Sequence, residues 1–330
     1  MKFLITVIVS LTTLTAAYAQ YAPQAGVSGT TAIPSSSTSF VGWATGCTVQ
    51  RGYIDIADKP QGHVTAGTDA NAVGVADQSI VSLGDSGVAV LSFGTALFNG
   101  PGADFAVFEN GFSNPSDSER AFLELAFVEV SSNGVDYFRF PAHSLTPATP
   151  QIPGAGVFMD AKLINNLAGK YISGYGTPFD LEDLAGTTGL DVNYISHIRL
   201  VDVVGFVNAN LGSIDTANNI INDPYPTNFP TGGFDLDAVG AIHQYSASVS
   251  STEANTPFVI YPNPVTDRLW IKSNRNERLS VILSDITGKK LWSGRVDDQG
   301  ISLDGYQPGI YYIQIQNEDG GKWQEKIIKR

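Results

Sequence analysis

Leu125-Ala-Phe-Val-Glu-Val-Ser-Ser132, followed by Asn133-Gly134 and then Val135-Asp-Tyr-Phe-Arg-Phe140, is the stretch on which the fold turns. Both runs alternate apolar and polar side chains at period two, the mark of a strand with one buried face. Asn-Gly between them predicts a hairpin closed by a two-residue type I′ turn, because both turn positions need positive φ. Working outward, residues 88–93, 105–109, 195–204 and 234–243 read as further strands. Helical period is scarce. Asp160 is placed to cap a short helix carrying Leu163, Ile164 and Leu167 and stopped by Gly169, and Asp180 to cap a single turn at 181–184. Many strands at irregular spacing, without strand-helix alternation, predict an all-β fold: a jelly-roll-like antiparallel β-sandwich.

The rest of the chain divides around that body. Met1-Lys2, an apolar run over 3–14 and Ala17-Tyr18-Ala19 form a signal peptide over residues 1–19. A membrane anchor needs about 20 apolar residues, and no later stretch reaches that length. Residues 20–39 are a polar N-terminal segment, 40–245 the body, 246–257 a polar linker without periodicity, and 258–330 a second, smaller unit. In that unit short alternating runs closed by Thr287-Gly288 and Gln307-Pro308-Gly309 predict an immunoglobulin-like β-sandwich. Charge follows the same division. Residues 21–256 carry 23 acidic and 7 basic residues, net −16, against 9 acidic and 11 basic, net +2, for 257–330. So acidic a body excludes nucleic acid as an electrostatic partner and suits cations or neutral ligands. Cys47 is the only cysteine, which rules out an intramolecular disulfide and reads as a small packing residue.

Gly84-Asp85-Ser86-Gly87 surrounds the nucleophile in chymotrypsin-like proteases, but only His63 precedes it, without that family's histidine motif. It reads as a turn entering the next strand. His63, His143, His197 and His243 lack zinc-site spacing. Carboxylates are more informative. Asp104 and Glu109 bracket a short strand, and Asp235 and Asp237 stand at i and i+2, on one face of a regular strand. Like charges side by side need a compensator, and calcium, with 6 to 8 oxygen ligands, suits these four residues outside a cell. The 215–223 loop offers oxygens without EF-hand spacing. A carboxylate pair also permits glycoside hydrolysis, but Trp43 is the body's single tryptophan, few for a glycan cleft.

Three motifs identify the tail. Tyr261-Pro262-Asn263-Pro264, then Asp285-Ile-Thr-Gly288-Lys289, then Gly309-Ile-Tyr311 with a basic end, resemble the type A C-terminal sorting domain of the type IX (Por) secretion system. The resemblance implies that Pro262, Asn263, Pro264, Asp285, Gly288, Gly309 and Tyr311 carry the sorting signal. It further implies passage through the outer membrane by the type IX machinery, removal of the tail and attachment to surface lipopolysaccharide. The body resembles a family of uncharacterised bacterial cell-surface β-sandwich proteins through Gly100-Pro-Gly-Ala-Asp-Phe-Ala-Val-Phe-Glu-Asn-Gly111, Phe127-Val-Glu-Val-Ser-Ser-Asn-Gly134, Gly174-Tyr-Gly-Thr-Pro-Phe-Asp-Leu181, Ile198-Arg-Leu-Val-Asp-Val-Val204 and residues 223–239. That resemblance implies location and fold, and no catalytic residues. The expectation is a secreted surface protein whose body is a non-catalytic binding or adhesion module for an extracellular ligand. An extracellular glycan hydrolase and a structural surface-layer component are the alternatives.

Overall fold

The computed structural model describes residues 21–245, 258–273, 278–296, 300–317 and 322–330. The signal peptide and the linker expected at 246–257 lie outside them. Two compact units divide at residues 247 and 248.

Eight strands make the frame of the body: β1 (Val81–Ser82), β2 (Val88–Leu97), β3 (Phe105–Glu109), β4 (Ala126–Ser131), β5 (Phe138–Arg139), β6 (Tyr175–Phe179), β7 (Ile195–Asp202) and β8 (Asp235–Ala241). One sheet runs β1-β8-β3-β6 and the other β2-β7-β4-β5, all antiparallel. That order, with the first strand beside the last and the second beside the penultimate, is the jelly roll anticipated from the sequence. Between the sheets lie Leu91, Val128, Val130, Ile198 and Leu200 from one side and Phe105, Val107, Phe179, Leu236 and Val239 from the other. Phe105 stacks on Phe179 at 5.3 Å, and each buried phenylalanine contributes about 1.5–3 kcal/mol. Every residue of β3, β4 and β8 is buried, since the outer faces are covered in turn by small side clusters around Phe108 and Leu123.

Three local expectations need correction or refinement. The hairpin between β4 and β5 pairs Phe138 with Val130, so the connection spans six residues rather than two. Gly134 has φ 74 but Asn133 is not left-handed. The Asn133 side chain instead accepts the amides of Val135 and Asp136, an Asx turn that outcompetes type I′. The helix after Asp160 is one 3-10 turn, Ala161–Leu163, capped as expected by Asp160 Oδ1 on the Lys162 amide at 2.9 Å. Ile164–Asn165 then leaves it to pair with His143–Ser144. Asp180 does cap one turn, Leu181–Leu184. Lastly, the polar N-terminal segment belongs to the body: Gln24 is fully buried and Ile33–Pro34 pairs with β6. Gln24 shows why polarity misled, since its Oε1 accepts the Ala25 amide and its Nε2 donates to the Lys170 carbonyl, which satisfies the side chain indoors.

The second unit contains β9 (Phe258–Tyr261), β10 (Arg268–Ser273), β11 (Leu279–Asp285), β12 (Lys290–Arg295), β13 (Ile301–Ser302), β14 (Gly309–Asn317) and β15 (Lys322–Lys329). Sheets β9-β10-β13 and β12-β11-β14-β15 enclose Leu269, Val281, Leu283, Ile313 and Ile327. It is the expected small sandwich, with its fourth strand, β12, on the sheet of the third rather than of the first.

Gly169 holds φ +80, and a Cβ there would stand 1.8 Å from the Glu124 carbonyl oxygen. Gly169→Ala should therefore lower the stability of the body by about 2–4 kcal/mol, from strain and overpacking together. The check is a shift of the urea midpoint without change of slope.

Candidate functional site

Antiparallel pairing brings six strand ends to one end of the jelly roll. Val88 at the start of β2 opposes Val201 near the end of β7, and Asp202 at that end opposes Ala126 at the start of β4. In the other sheet Leu236 at the start of β8 opposes Glu109 at the end of β3, and Asp235 opposes Ser82. Acids stand at these ends and in the loops beside them. Asp85, Glu109, Glu124, Asp202, Asp223 and Asp235 are all buried, between 1% and 6% exposed.

Their hydrogen bonds are few. Asp85 Oδ2 accepts the Ile56 amide at 2.7 Å. Asp202 accepts the amides of Phe234 and Ser86. Asp235 accepts the Ser82 hydroxyl and, at 2.8 Å, the Asn110 side-chain amide. Glu109 Oε2 accepts the Gly111 amide, but its Oε1 is buried without a partner, as is Oδ1 of Asp223. Glu124 accepts no hydrogen bond from any described residue. Among the described residues the cation acting on this group is Arg51, which draws on Asp235 while donating to the carbonyls of Ala66, Gly67 and Ser82.

Burial therefore dominates the electrostatics. It pushes Asp85 and Asp235 up to about 6. Glu124 is held well above the usual carboxylate range by burial and then by the charges of Glu109, Asp235, Asp223 and Asp202. Glu109, Asp202 and Asp223 are raised in the same way, burial first and neighbouring carboxylates after it.

Glu124 and Asp235 form part of the lining of an open cleft of about 280 Å³. Asn110, Thr231 and the loop of Gly154, Ala155 and Gly156 line it too, with Phe112, Phe122 and Phe229. Phe112 and Phe229 are 55% and 50% exposed, which is unusual for phenylalanine and places apolar ring faces where a ligand meets them. Phe112 is braced by stacking on Phe122 at 5.2 Å.

The four carboxylates expected to share a calcium ion are not brought together. Asp104 and Glu109 flank β3 at opposite ends, and at about 3.3 Å per residue the strand holds them some 17 Å apart. Asp104 instead takes the amides of Gly100 and Leu181 and His243 Nδ1 at 2.6 Å. Asp235 and Asp237 are separated by an irregularity in β8: Leu236 and Ala238 oppose the adjacent residues Glu109 and Phe108, so Asp237 is a bulge residue. Its Oδ1 accepts the amides of Asp77 and Gln78. Only Glu109 and Asp235 of the four lie close enough to act on each other. Among the described residues no set of three or more His, Cys, Asp or Glu side chains is arranged to hold a metal ion. In the 215–223 loop, Asp215 is saturated by the amides of Ser144, Ala217 and Asn219.

The Gly84-Asp85-Ser86-Gly87 segment is the turn expected, closed by the Gly87 amide on the Gly84 carbonyl at 2.7 Å. His63 stacks on Tyr53, His143 lies in a short strand, and His197 bonds Ser196. Cys47 packs against the core, and burial pushes its thiol up to about 12.

Asp85 and Asp235 titrate at about 6 in the fold against 3.8 unfolded, so the folded state binds more protons than the unfolded chain. Stability is then greatest below the unfolded values and is lost as pH climbs through the folded ones. The melting temperature of the mature chain should rise as pH falls through about 6 toward about 4, the reverse of ordinary acid denaturation, each such carboxyl contributing about 1.4 kcal/mol per pH unit over that window and about 3 kcal/mol in all. Glu124→Gln should raise it at the higher pH and flatten the slope. Melting curves across that range decide the matter, and a steady loss of stability on acidification contradicts it.

In the second unit Asn263, Asp285, Gly288 and Tyr311 have structural tasks. Asn263 donates to the Lys326 carbonyl at 2.8 Å and accepts the Ile328 amide at 2.9 Å, pinning the Tyr-Pro-Asn-Pro loop, with Pro262 and Pro264, to β15. Asp285 Oδ1 collects the Thr287 hydroxyl and the amides of Thr287 and Lys289, around Gly288 at φ +80. Gly309 opens β14, and Tyr311, buried, donates its hydroxyl to the Gln307 carbonyl at 2.6 Å.

Comparison with known proteins separates the two units. No curated protein matches the chain. Among solved structures, β-glucuronidase of Ruminococcus gnavus in complex with uronic isofagomine is 10% identical, with 88% of this chain and 43% of that chain covered at TM-score 0.22. The complex of b-glucuronidase from Ruminococcus gnavus with D-glucaro 1,5-lactone is 10% identical, covering 86% and 45% at TM-score 0.19. The chain spans less than half the length of these proteins, and so low a TM-score shows neither a shared fold nor a shared activity. Residues 259–330 match the family described as Secretion system C-terminal sorting domain. This unit is a type IX secretion sorting domain, and through it the protein is exported to the outside of a Gram-negative cell, attached to its surface or released there.

Proposed function

We propose that the body is a non-catalytic binding module that holds a small extracellular ligand in the cleft floored by Glu124 and Asp235. The observation that carries this reading is the pairing of partnerless, buried polarity with exposed rings in one concavity. Binding sites combine an apolar lining with a few convergent polar groups, and Glu124, Asp235 and Asn110 beneath Phe112 and Phe229 have that composition. Glycans, other nutrients and small polar solutes are the ligand classes to screen. Phe112→Ala should weaken binding of whichever probe is held about fivefold or more, the loss expected for one stacking contact. Titration calorimetry against saccharides, amines and calcium measures it. Probes that bind with equal affinity to wild type and to Phe112→Ala would place the ligand elsewhere.

A hydrolase is the second reading, favoured by two carboxyl groups on one cleft, one able to stay protonated as an acid while the other remains charged. Turnover of aryl glycosides that vanishes with Glu124→Gln would establish it over binding alone. In either case the tail is the address: the type IX machinery receives it, removes it, and leaves the body on surface lipopolysaccharide. Deleting residues 258–330 should leave the body in the periplasm, because a signal peptide crosses only the inner membrane. Cell fractionation reads this directly, and surface exposure of the truncated chain would contradict it.

A further inference from the structure

Glu124 is only 6% exposed, lines the cleft, and accepts no hydrogen bond from any described residue. Glu109 and Asp223, close enough for their charges to act on it, each have a buried oxygen with no partner among the described residues. In front of it stand the rings of Phe112, Phe122 and Phe229. A ligand for this cleft must answer both features at once.

A neutral ligand leaves the field of the carboxylates unanswered. An anion is repelled by that field. A calcium ion takes six to eight oxygen ligands, whereas three of the walls here are phenyl rings, and no three His, Cys, Asp or Glu side chains converge to hold any metal ion among the described residues. The cleft, at about 280 Å³, is also far larger than an ion. An organic cation fits every term. Its charge compensates Glu124 and Asp235, its N–H groups or polarised methyl groups meet their oxygens, and its hydrocarbon surface lies on ring faces whose quadrupole attracts positive charge. The acidity of the body, with 23 acidic against 7 basic residues over 21–256, raises the local concentration of such a ligand.

We propose that the cleft recognises the cationic head of an organic ammonium or guanidinium ligand, with Glu124 and Asp235 as counter-ions and Phe112 and Phe229 as the walls that select a carbon-bearing cation. The inference rests on reading the cleft as the body's binding site. Asn110, fixed by its own bond to Asp235, holds that carboxylate toward the cleft and is a positioning residue.

The test is calorimetric titration of the mature chain with choline, putrescine, guanidinium chloride, maltose and calcium chloride, together with melting curves. At least one of choline, putrescine and guanidinium should bind. Glu124→Gln should weaken it about tenfold or more, Phe229→Ala about threefold to thirtyfold. Because Glu124→Gln replaces an unpartnered buried carboxyl with a neutral amide of the same shape, that variant should melt no lower than wild type, so its loss of binding cannot be ascribed to unfolding. Binding of maltose, sensitive to Phe112→Ala, without binding of any of the three cations overturns the assignment of ligand class and leaves the cleft as the binding site. Calcium binding that Glu124→Gln removes and Phe229→Ala does not touch overturns it in favour of a metal. If none of the five probes is held, or held only in a manner indifferent to Glu124→Gln and Phe229→Ala, both the inference and the binding reading fail.

Discussion

Six carboxyl groups taken out of water at one end of a sandwich, with Arg51 the cation acting on them among the described residues, are the constraint to which the body answers. The contrast with Glu129 measures how unusual this is. Glu129 is just as buried, yet it is clamped between Arg139 and Arg199, the first at 2.8 Å, and those guanidinium groups in turn lie over Phe127 and Tyr137. Two guanidinium partners offset the desolvation of that carboxylate. At the other end, Glu109, Glu124 and Asp223 have no such partner, and desolvation drives them toward the protonated form. The cluster thus weakens the fold at neutral pH. A fold tolerates such a defect when something outside it, a proton or a ligand, supplies the missing charge.

The jelly roll is suited to hold such a cluster because it separates stability from the site. Its stabilising contacts run through the middle of the two sheets, where Phe105, Phe140 and Phe179 pack together, while the acids stand on strand ends and on the loops that join them. Hydrogen bonds lock that end: the Leu83 amide donates to the Phe234 carbonyl within one sheet, and the Phe234 amide donates to Asp202 Oδ1 of the other. Glycine makes the closeness possible. At Gly233, φ +68, a Cβ would stand 2.6 Å from Asp202 Oδ1 and 2.9 Å from the Gly84 Cα. A rigid end of this kind keeps the carboxyl groups from relaxing apart, which preserves both their mutual repulsion and the shape of the cleft.

Period-two reading of the sequence located the strands well, because β2, β7 and the strands of the tail each bury one face. It also captured the Asp180 cap, whose signal is entirely local. The site was less legible. Asp104 and Glu109 look like a pair in sequence, but a strand puts its two ends far apart. Asp235 and Asp237 obey the two-residue rule only in a regular strand, and the bulge between Leu236 and Ala238 removes that regularity. Asp85, Glu124, Asp202 and Asp223 were not gathered into one site because their partners lie far off in sequence, 15 residues from Glu124 to Glu109 and 117 from Asp85 to Asp202. A signal did exist for two of them: Leu123-Glu-Leu125 and Leu200-Val-Asp-Val-Val204 each bury one acid inside an apolar run, where a solvated residue would not stand. An acid interrupting such a run is a buried acid, and it is the run rather than the spacing between acids that announces it.

The tail shows the opposite relation between motif and fold. Its opening Tyr-Pro-Asn-Pro and its closing basic strand lie at the two ends of the unit in sequence, yet Asn263 bonds to residues 63 and 65 positions later. The Val265 amide reinforces the join by donating to the Ile328 carbonyl, and the Arg330 amide returns to the Val265 carbonyl. The two motifs are therefore halves of one clasp, which explains why a signal for export includes both ends. Without the last strand Asn263 loses its acceptor and its donor, the β14 edge is uncovered, and Ile327 leaves the core. What the motif residues secure is a folded module, and a machinery that reads this module reads the surface they create.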